Sequence, residues 1–171
     1  MQGAIDHRGQ LVHRFLYASE LWVFLNLGLA LLISIPAINL FSHGTHITVA
    51  HAMGSTIGIN TMILFASVFH LANDARGMPA VRVADTRWGF RLLNGGLMLF
   101  WLSLIGAGLV KGWYTVMTDL PFQQIMERVV PFLASFAVWG LVLFTGITLL
   151  AWQAVRALWW TAPRSTATDR P

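Results

Sequence analysis

The 171 residues contain no cysteine, which excludes a disulfide scaffold, thiolate metal sites and thiol catalysis. Charge is scarce too. Asp, Glu, Lys and Arg make up 11% of the chain, against about 25% in an ordinary soluble domain. The pI near 10.7 invites a nucleic-acid reading. However, the basic residues form no patch interleaved with exposed aromatics. They sit between apolar runs, where membrane orientation accounts for them, so no nucleic-acid partner is expected. A secondary transporter is disfavoured because no charged residue falls in the middle of an apolar run and no inverted repeat is visible.

What is abundant is apolar surface. Hydrophobic residues make up 56% of the chain, and the mean hydropathy is +0.64. Four apolar segments, each near the roughly 20 residues a spanning helix needs, fall at about 18–41, 45–71, 88–110 and 130–155. They predict an all-α integral membrane protein, a four-helix antiparallel bundle. Residues 1–17 form an N-terminal segment, 18–160 the transmembrane domain and 161–171 a flexible polar tail. The first apolar run is too long for a signal-peptide core, and no small-residue cleavage site follows it. Pro36 predicts a kink or early stop near the end of the first span. The joint Ser42-His43-Gly44-Thr45 is so short that it connects antiparallel neighbours, with Ser42 or Thr45 as the cap of the second helix. Gly77 and Pro79 break the next connection. Residues 111–128 read as a longer loop with Trp113 and Tyr114 at interface level.

With four crossings, both termini and the second connection share one side. That side carries Arg8, Arg14, Arg76, Arg82, Arg87, Arg91, Arg156, Arg164 and Arg170, and the other only Lys111 and Arg128. The 9 to 2 split of the 11 basic residues places both termini in the cytoplasm. The expected location is the bacterial inner membrane, with His43, His46 and His51 entering from the outer face.

These histidines, with Met53, carry the chemistry. At about 100° per residue, His51 and Met53 project roughly 200° apart. That arrangement is poor for chelating one metal and good for reaching two planar cofactors on opposite flanks. His46, Met53 and Asn60 fall near one stripe, and His51, Ser55 and Gly58 near another. Small residues beside His51 would make room for a flat macrocycle, and imidazole and thioether are both axial ligands of haem iron. Plainer readings stand beside these. His43 and His46 are solvated at headgroup level, or His46 bonds a haem propionate. Met53 is core filler. The spacing leaves His51 either a ligand or a hydrogen-bonded packing residue. His70 is an interface residue, and Glu20 is solvated or paired with Arg14 or Arg91. The glycines on the second and third spans serve close helix packing.

The run HGTHITVAH followed by AM, within residues 42–64, resembles the tenth transmembrane helix of the large, cytochrome b subunit of bacterial nitric oxide reductase. That subunit belongs to the haem-copper oxidase superfamily. TRWGFRL, at residues 86–92, resembles the family's entry to the next helix, and Gly106-Ala107-Gly108 and the final apolar helix fall in register. The chain thus resembles the last four helices of a twelve-helix catalytic subunit. In the family, one histidine of a His-x-His pair ligates the high-spin haem iron and the other ligates the low-spin haem. His51 matches the first. The second position holds Met53, a departure from the pattern. The non-haem metal ligands and the low-spin partner histidine lie on earlier helices that this chain does not contain.

The resemblance implies a non-autonomous part of an oxidoreductase that supplies His51 to a haem b for reduction of NO or O2. Its partners would be a further membrane chain carrying the missing helices and a cytochrome c electron donor. Two alternatives are kept. One is a small autonomous haem protein working as a homodimer. The other is a non-catalytic scaffold or assembly protein derived from the same fold.

Overall fold

The computed structural model describes residues 2–74 and 81–161, with side chains over 9–74 and 81–159. Arg76, Gly77, Pro79 and the tail with Pro163, Arg164 and Arg170 lie outside these residues. The described elements are all helical. They are α1 (Gln2–Ser34), α2 (Pro36–Ser42), α3 (His46–Met53), a π-helical segment (Gly54–Thr61), α4 (Met62–Asp74), α5 (Val83–Met117) and α6 (Phe122–Thr161). Among the described residues four helices are long and apolar enough to cross a bilayer: Gly9–Ser34, His46–Asp74, Val83–Met117 and Phe122–Trp159. The second is composite, made of α3, the π-helical segment and α4.

Pro36 acts as expected. Ile35 takes an extended conformation (φ −73°, ψ 122°), and Pro36 opens α2 at its first turn. The ring of a proline crowds the residue before it out of the helical region, so α1 stops and a new helix begins. The four-residue joint then reverses the chain. Gly44 adopts φ +69°, a region costly to residues with a Cβ. Thr45 caps α3, its Oγ1 accepting from the Ile47 N–H at 3.3 Å and donating to the Ser42 carbonyl at 2.7 Å. Lys111 Nζ donates to the Gly44 carbonyl at 3.1 Å, tying the joint to the far end of α5.

The connection after the third span differs from its reading in the sequence. Of residues 111–128 only 118–121 are non-helical, because α5 continues to Met117 and α6 begins at Phe122. Hydropathy marks where the hydrocarbon ends. It does not mark where a helix ends, since the backbone stays satisfied by its own ladder until a breaker such as Pro121 arrives. Tyr114 holds this end together: its hydroxyl accepts from Arg128 Nη1 at 3.0 Å, and the Arg128 guanidinium lies 4.6 Å from its ring centroid. α1 likewise begins at Gln2, well ahead of residue 18.

The first span lies along the π-helical segment and α4. α3 packs on α5, and α5 and α6 share the most extensive interface. At the end bearing the termini, Phe15 of α1 meets Phe69 of α4 (5.5 Å between centroids) and Phe90 of α5 (5.1 Å, edge-on). The α5–α6 contact is close because it lacks side chains where the backbones meet. A Cβ on Gly96 would stand 2.8 Å from the Leu143 nitrogen, and one on Gly146 would press into the Leu93 backbone. Gly146→Leu should therefore destabilise the bundle by about 1–3 kcal/mol, the usual cost of overpacking. Gly95→Ala, which points into open space, should stay within about 0.5 kcal/mol. Unfolding in detergent micelles followed by circular dichroism checks both.

Candidate functional site

The site is built from the cap downward. Thr45 starts α3 in a fixed phase, and that phase sets the directions of His46, Ala50, His51 and Met53. His43 is exposed on the joint, while His46 and His51 are each half-buried. In both half-buried rings Nδ1 is shut away from solvent with no hydrogen-bond partner. A buried polar atom left unmade costs about 1–3 kcal/mol, so two such atoms on adjoining turns need an account. Met53 is half-buried and packs against the hydrophobic core. The structure therefore favours the filler reading for its thioether in this packing. The three histidines do not converge: among the described residues no group of three or more His, Asp or Glu side chains is placed to hold a metal ion.

Past Met53 the winding changes. Residues Gly54–Thr61 form an eight-residue π-helix, rare at this length and characteristically found at functional sites. More residues fit in each turn, so stripes drawn at 100° per residue break at this point. Asn60 is exposed, not in line with Met53 and His46. Gly54, Gly58 and Met62, four apart, become the buried side.

The small residues near His51 are taken up by α1. A Cβ on Gly58 would stand 2.6 Å from the indole of Trp22, and one on Gly54 would stand 2.6 Å from Asn26 Oδ1. Asn26 Nδ2 donates to Ser55 Oγ at 2.6 Å, and Ser55 Oγ donates to the His51 carbonyl at 3.3 Å. Trp22 Nε1 donates to Asn94 Oδ1 at 3.3 Å. The expectation that Ser55 and Gly58 make room for a macrocycle is corrected: helix packing and an interhelical hydrogen bond occupy that flank.

Sequence reasoning placed Ser55 on the stripe of His51 and did not pair it with Asn26. It also missed Trp101, whose indole nitrogen is buried and unpartnered close to Gly54. The signal was available in part, because a buried indole and a carboxamide in hydrocarbon must each find a partner. Glu20 is exposed and forms no ion pair with Arg14 or Arg91. His70 is exposed at the other end of the span, where it lines a pocket with His13 and Asp74.

No family model and no solved structure matches the chain. Over 134 residues it is 24% identical to the cytochrome c oxidase subunit 1 homolog of Agrobacterium tumefaciens (strain T37). That alignment covers 74% of this chain and 25% of the other, so the chain spans about a quarter of the length of the curated relative it matches. The likeness reaches the haem-copper oxidase subunit I level at most, and it does not single out the nitric oxide reductases.

The Asn26–Ser55 bond is the testable joint of this region. A double-mutant cycle of Asn26→Ala and Ser55→Ala should return a coupling of about 0.6–1.7 kcal/mol, the range for interhelical hydrogen bonds in membranes. Additive single effects would show that the two side chains do not bond.

Proposed function

We propose that this chain is a membrane subunit, or the C-terminal part of a split catalytic subunit, of a haem-copper-type respiratory complex resembling nitric oxide reductase. In it His51 would hold the iron of a haem b, and the haem would supply the redox chemistry for reduction of NO or O2. The observation that carries this reading is the His51 ring. It stands six residues into an apolar spanning helix, half-buried, with its Nδ1 closed off and unbonded. An imidazole in that setting is expensive without a partner and inexpensive as a metal ligand.

The residues fit one axial ligand and not a whole pocket. A ligating histidine ordinarily donates its second ring N–H to an oxygen. No described group offers one to His51, so a further membrane chain would supply that acceptor only if the imidazole turned to bring Nδ1 to the surface. The same chain would bring the missing helices and the non-haem metal ligands. When bound, the haem supplies the redox-active iron and the place where the diatomic sits. This chain holds the imidazole on α3, and its buried Ile47 and Ala50 exclude water from that flank. His46 fits a hydrogen bond to a haem propionate. Ligation by Met53 would require the thioether to leave the core. A cytochrome c is the proposed electron donor. The proposed setting is the bacterial inner membrane with both termini cytoplasmic, as the distribution of basic residues implies.

A second reading is supported by the filled flank. Because Gly58 and Ser55 serve α1, the fold stands without a cofactor there, as a non-catalytic scaffold would. One experiment separates the two readings. The chain is purified with its neighbours from native membranes, and reduced-minus-oxidised spectra are recorded for wild type, His51→Ala and Met53→Leu. We expect His51→Ala to lose a high-spin haem b component and Met53→Leu to keep it. An unchanged spectrum in His51→Ala removes the ligand assignment, and a haem-free native complex favours the scaffold. Haem bound by the chain expressed alone favours the autonomous homodimer.

A further inference from the structure

We propose that the end of the bundle where α1 meets the first turns of α5 binds an acidic phospholipid, its phosphate held among the guanidinium groups of Arg14, Arg87 and Arg91. The proposal does not depend on haem binding.

Arg14 is half-buried, and its guanidinium carbon lies 4.0 Å from the centroid of the Phe90 ring. Phe90 is itself packed edge-on against Phe15, so the charged group rests on a wall of the aromatic core. Arg87 and Arg91 stand one turn apart on α5, both exposed, and Phe90, the ring that carries the Arg14 guanidinium, falls between them. Arg91 also lies 5.6 Å from the ring centroid of Trp88, which is 67% exposed. No described carboxylate answers these three charges. Glu20 is exposed without an ion pair, and Asp85 turns its Oδ2 to the Arg82 backbone N–H at 3.3 Å.

The positive-inside rule explains why bases are present at this end. It does not explain why the Arg14 guanidinium rests on the ring of Phe90, which falls between Arg87 and Arg91 on α5, with no counter-charge among the described residues. Like charges brought together, one of them partly desolvated, destabilise the bundle unless an anion completes the cluster. Guanidinium forks are shaped for the paired oxygens of a phosphate, and basic pockets between spanning helices hold acidic headgroups. Trp88 marks headgroup depth, where amphipathic rings settle. A lipid phosphate is the anion available at that depth.

The test uses the full chain, purified and delipidated in detergent, with native mass spectrometry as the readout. Phosphatidylglycerol, phosphatidylcholine and inorganic phosphate are added separately. We expect phosphatidylglycerol to be retained over phosphatidylcholine, and a millimolar excess of inorganic phosphate not to displace it. Arg14→Gln and Arg91→Gln should each weaken retention on the order of fivefold, the worth of one arginine at an anionic surface. Arg14→Lys should fall between wild type and Arg14→Gln. Arg156→Gln, at the same end but on α6, should leave retention unchanged, and circular dichroism should confirm equal helicity. Equal binding of the two lipids, an equal loss in Arg156→Gln, or displacement by inorganic phosphate overturns the proposal. If Arg14→Gln does not fold, the wild-type lipid preference and Arg91→Gln decide the matter between them.

Discussion

The bundle depends on Trp22 lying in the gap left where residue 58 has no side chain. Its indole is 1% exposed and spans three elements. It fills the space over the π-helical segment, stands edge-on to Trp101 at 6.0 Å, and donates Nε1–H to Asn94 on α5. In hydrocarbon an indole N–H has no water to fall back on, so burial of this large ring and satisfaction of its one donor must be achieved together. Asn94 makes that possible. Its amide nitrogen donates to the Phe90 carbonyl at 3.1 Å, which fixes the oxygen toward Trp22. Gly58, with Gly54 one turn before it, thus lets α1 approach closely enough for α1, the second span and α5 to share one packed centre.

The π-helical winding belongs to the same solution. An α-helix would carry Gly54, Gly58 and Met62 progressively around the cylinder at about 40° for each step of four. A wider turn brings them nearer one line, and that line is what α1 covers. The Asn26–Ser55 bond then closes the upper part of the contact, and Ser55 passes the connection to the carbonyl of His51. The backbone beneath the candidate ligand is therefore held by first-span residues, although the ring itself is not.

Much of this architecture was legible in the residues. Four apolar runs gave four spans, Pro36 gave the break, and the four-residue joint with Thr45 gave both the reversal and the cap. These features are local: each follows from a few neighbouring residues and the chemistry of a breaker or a cap. Helix ends were less legible. Hydropathy falls at the bilayer surface, whereas α1 and α5 run on past it, and α6 begins well before it. The π-helix was not legible at all, because it is stabilised by what packs against it and not by its own sequence. That single miss propagated into the site, where Gly58 and Ser55 were assigned to a macrocycle and belong to Trp22 and Asn26. His51 was found because an imidazole in an apolar run is conspicuous, and its closed-off Nδ1 is a property no spacing argument reaches.

The second span also has a face that the bundle leaves open. Thr48, Ala52, Thr56 and Asn60 are exposed, four apart, and Asn60 stands at the middle of a span of 29 residues. Exposed leucines such as Leu64 cost nothing against acyl chains, but a carboxamide does, since neither its donors nor its acceptor finds a partner in hydrocarbon. Small and hydroxyl-bearing residues on the same line are those that let another helix approach closely and hydrogen-bond. A face of this composition is stable in a bilayer when it is covered. The open face lies on the same span as His51, and a neighbouring helix bundle would cover it. A lone chain in lipid would leave the Asn60 carboxamide without a partner, and this is the physical ground for proposing a part of a larger complex over an autonomous monomer.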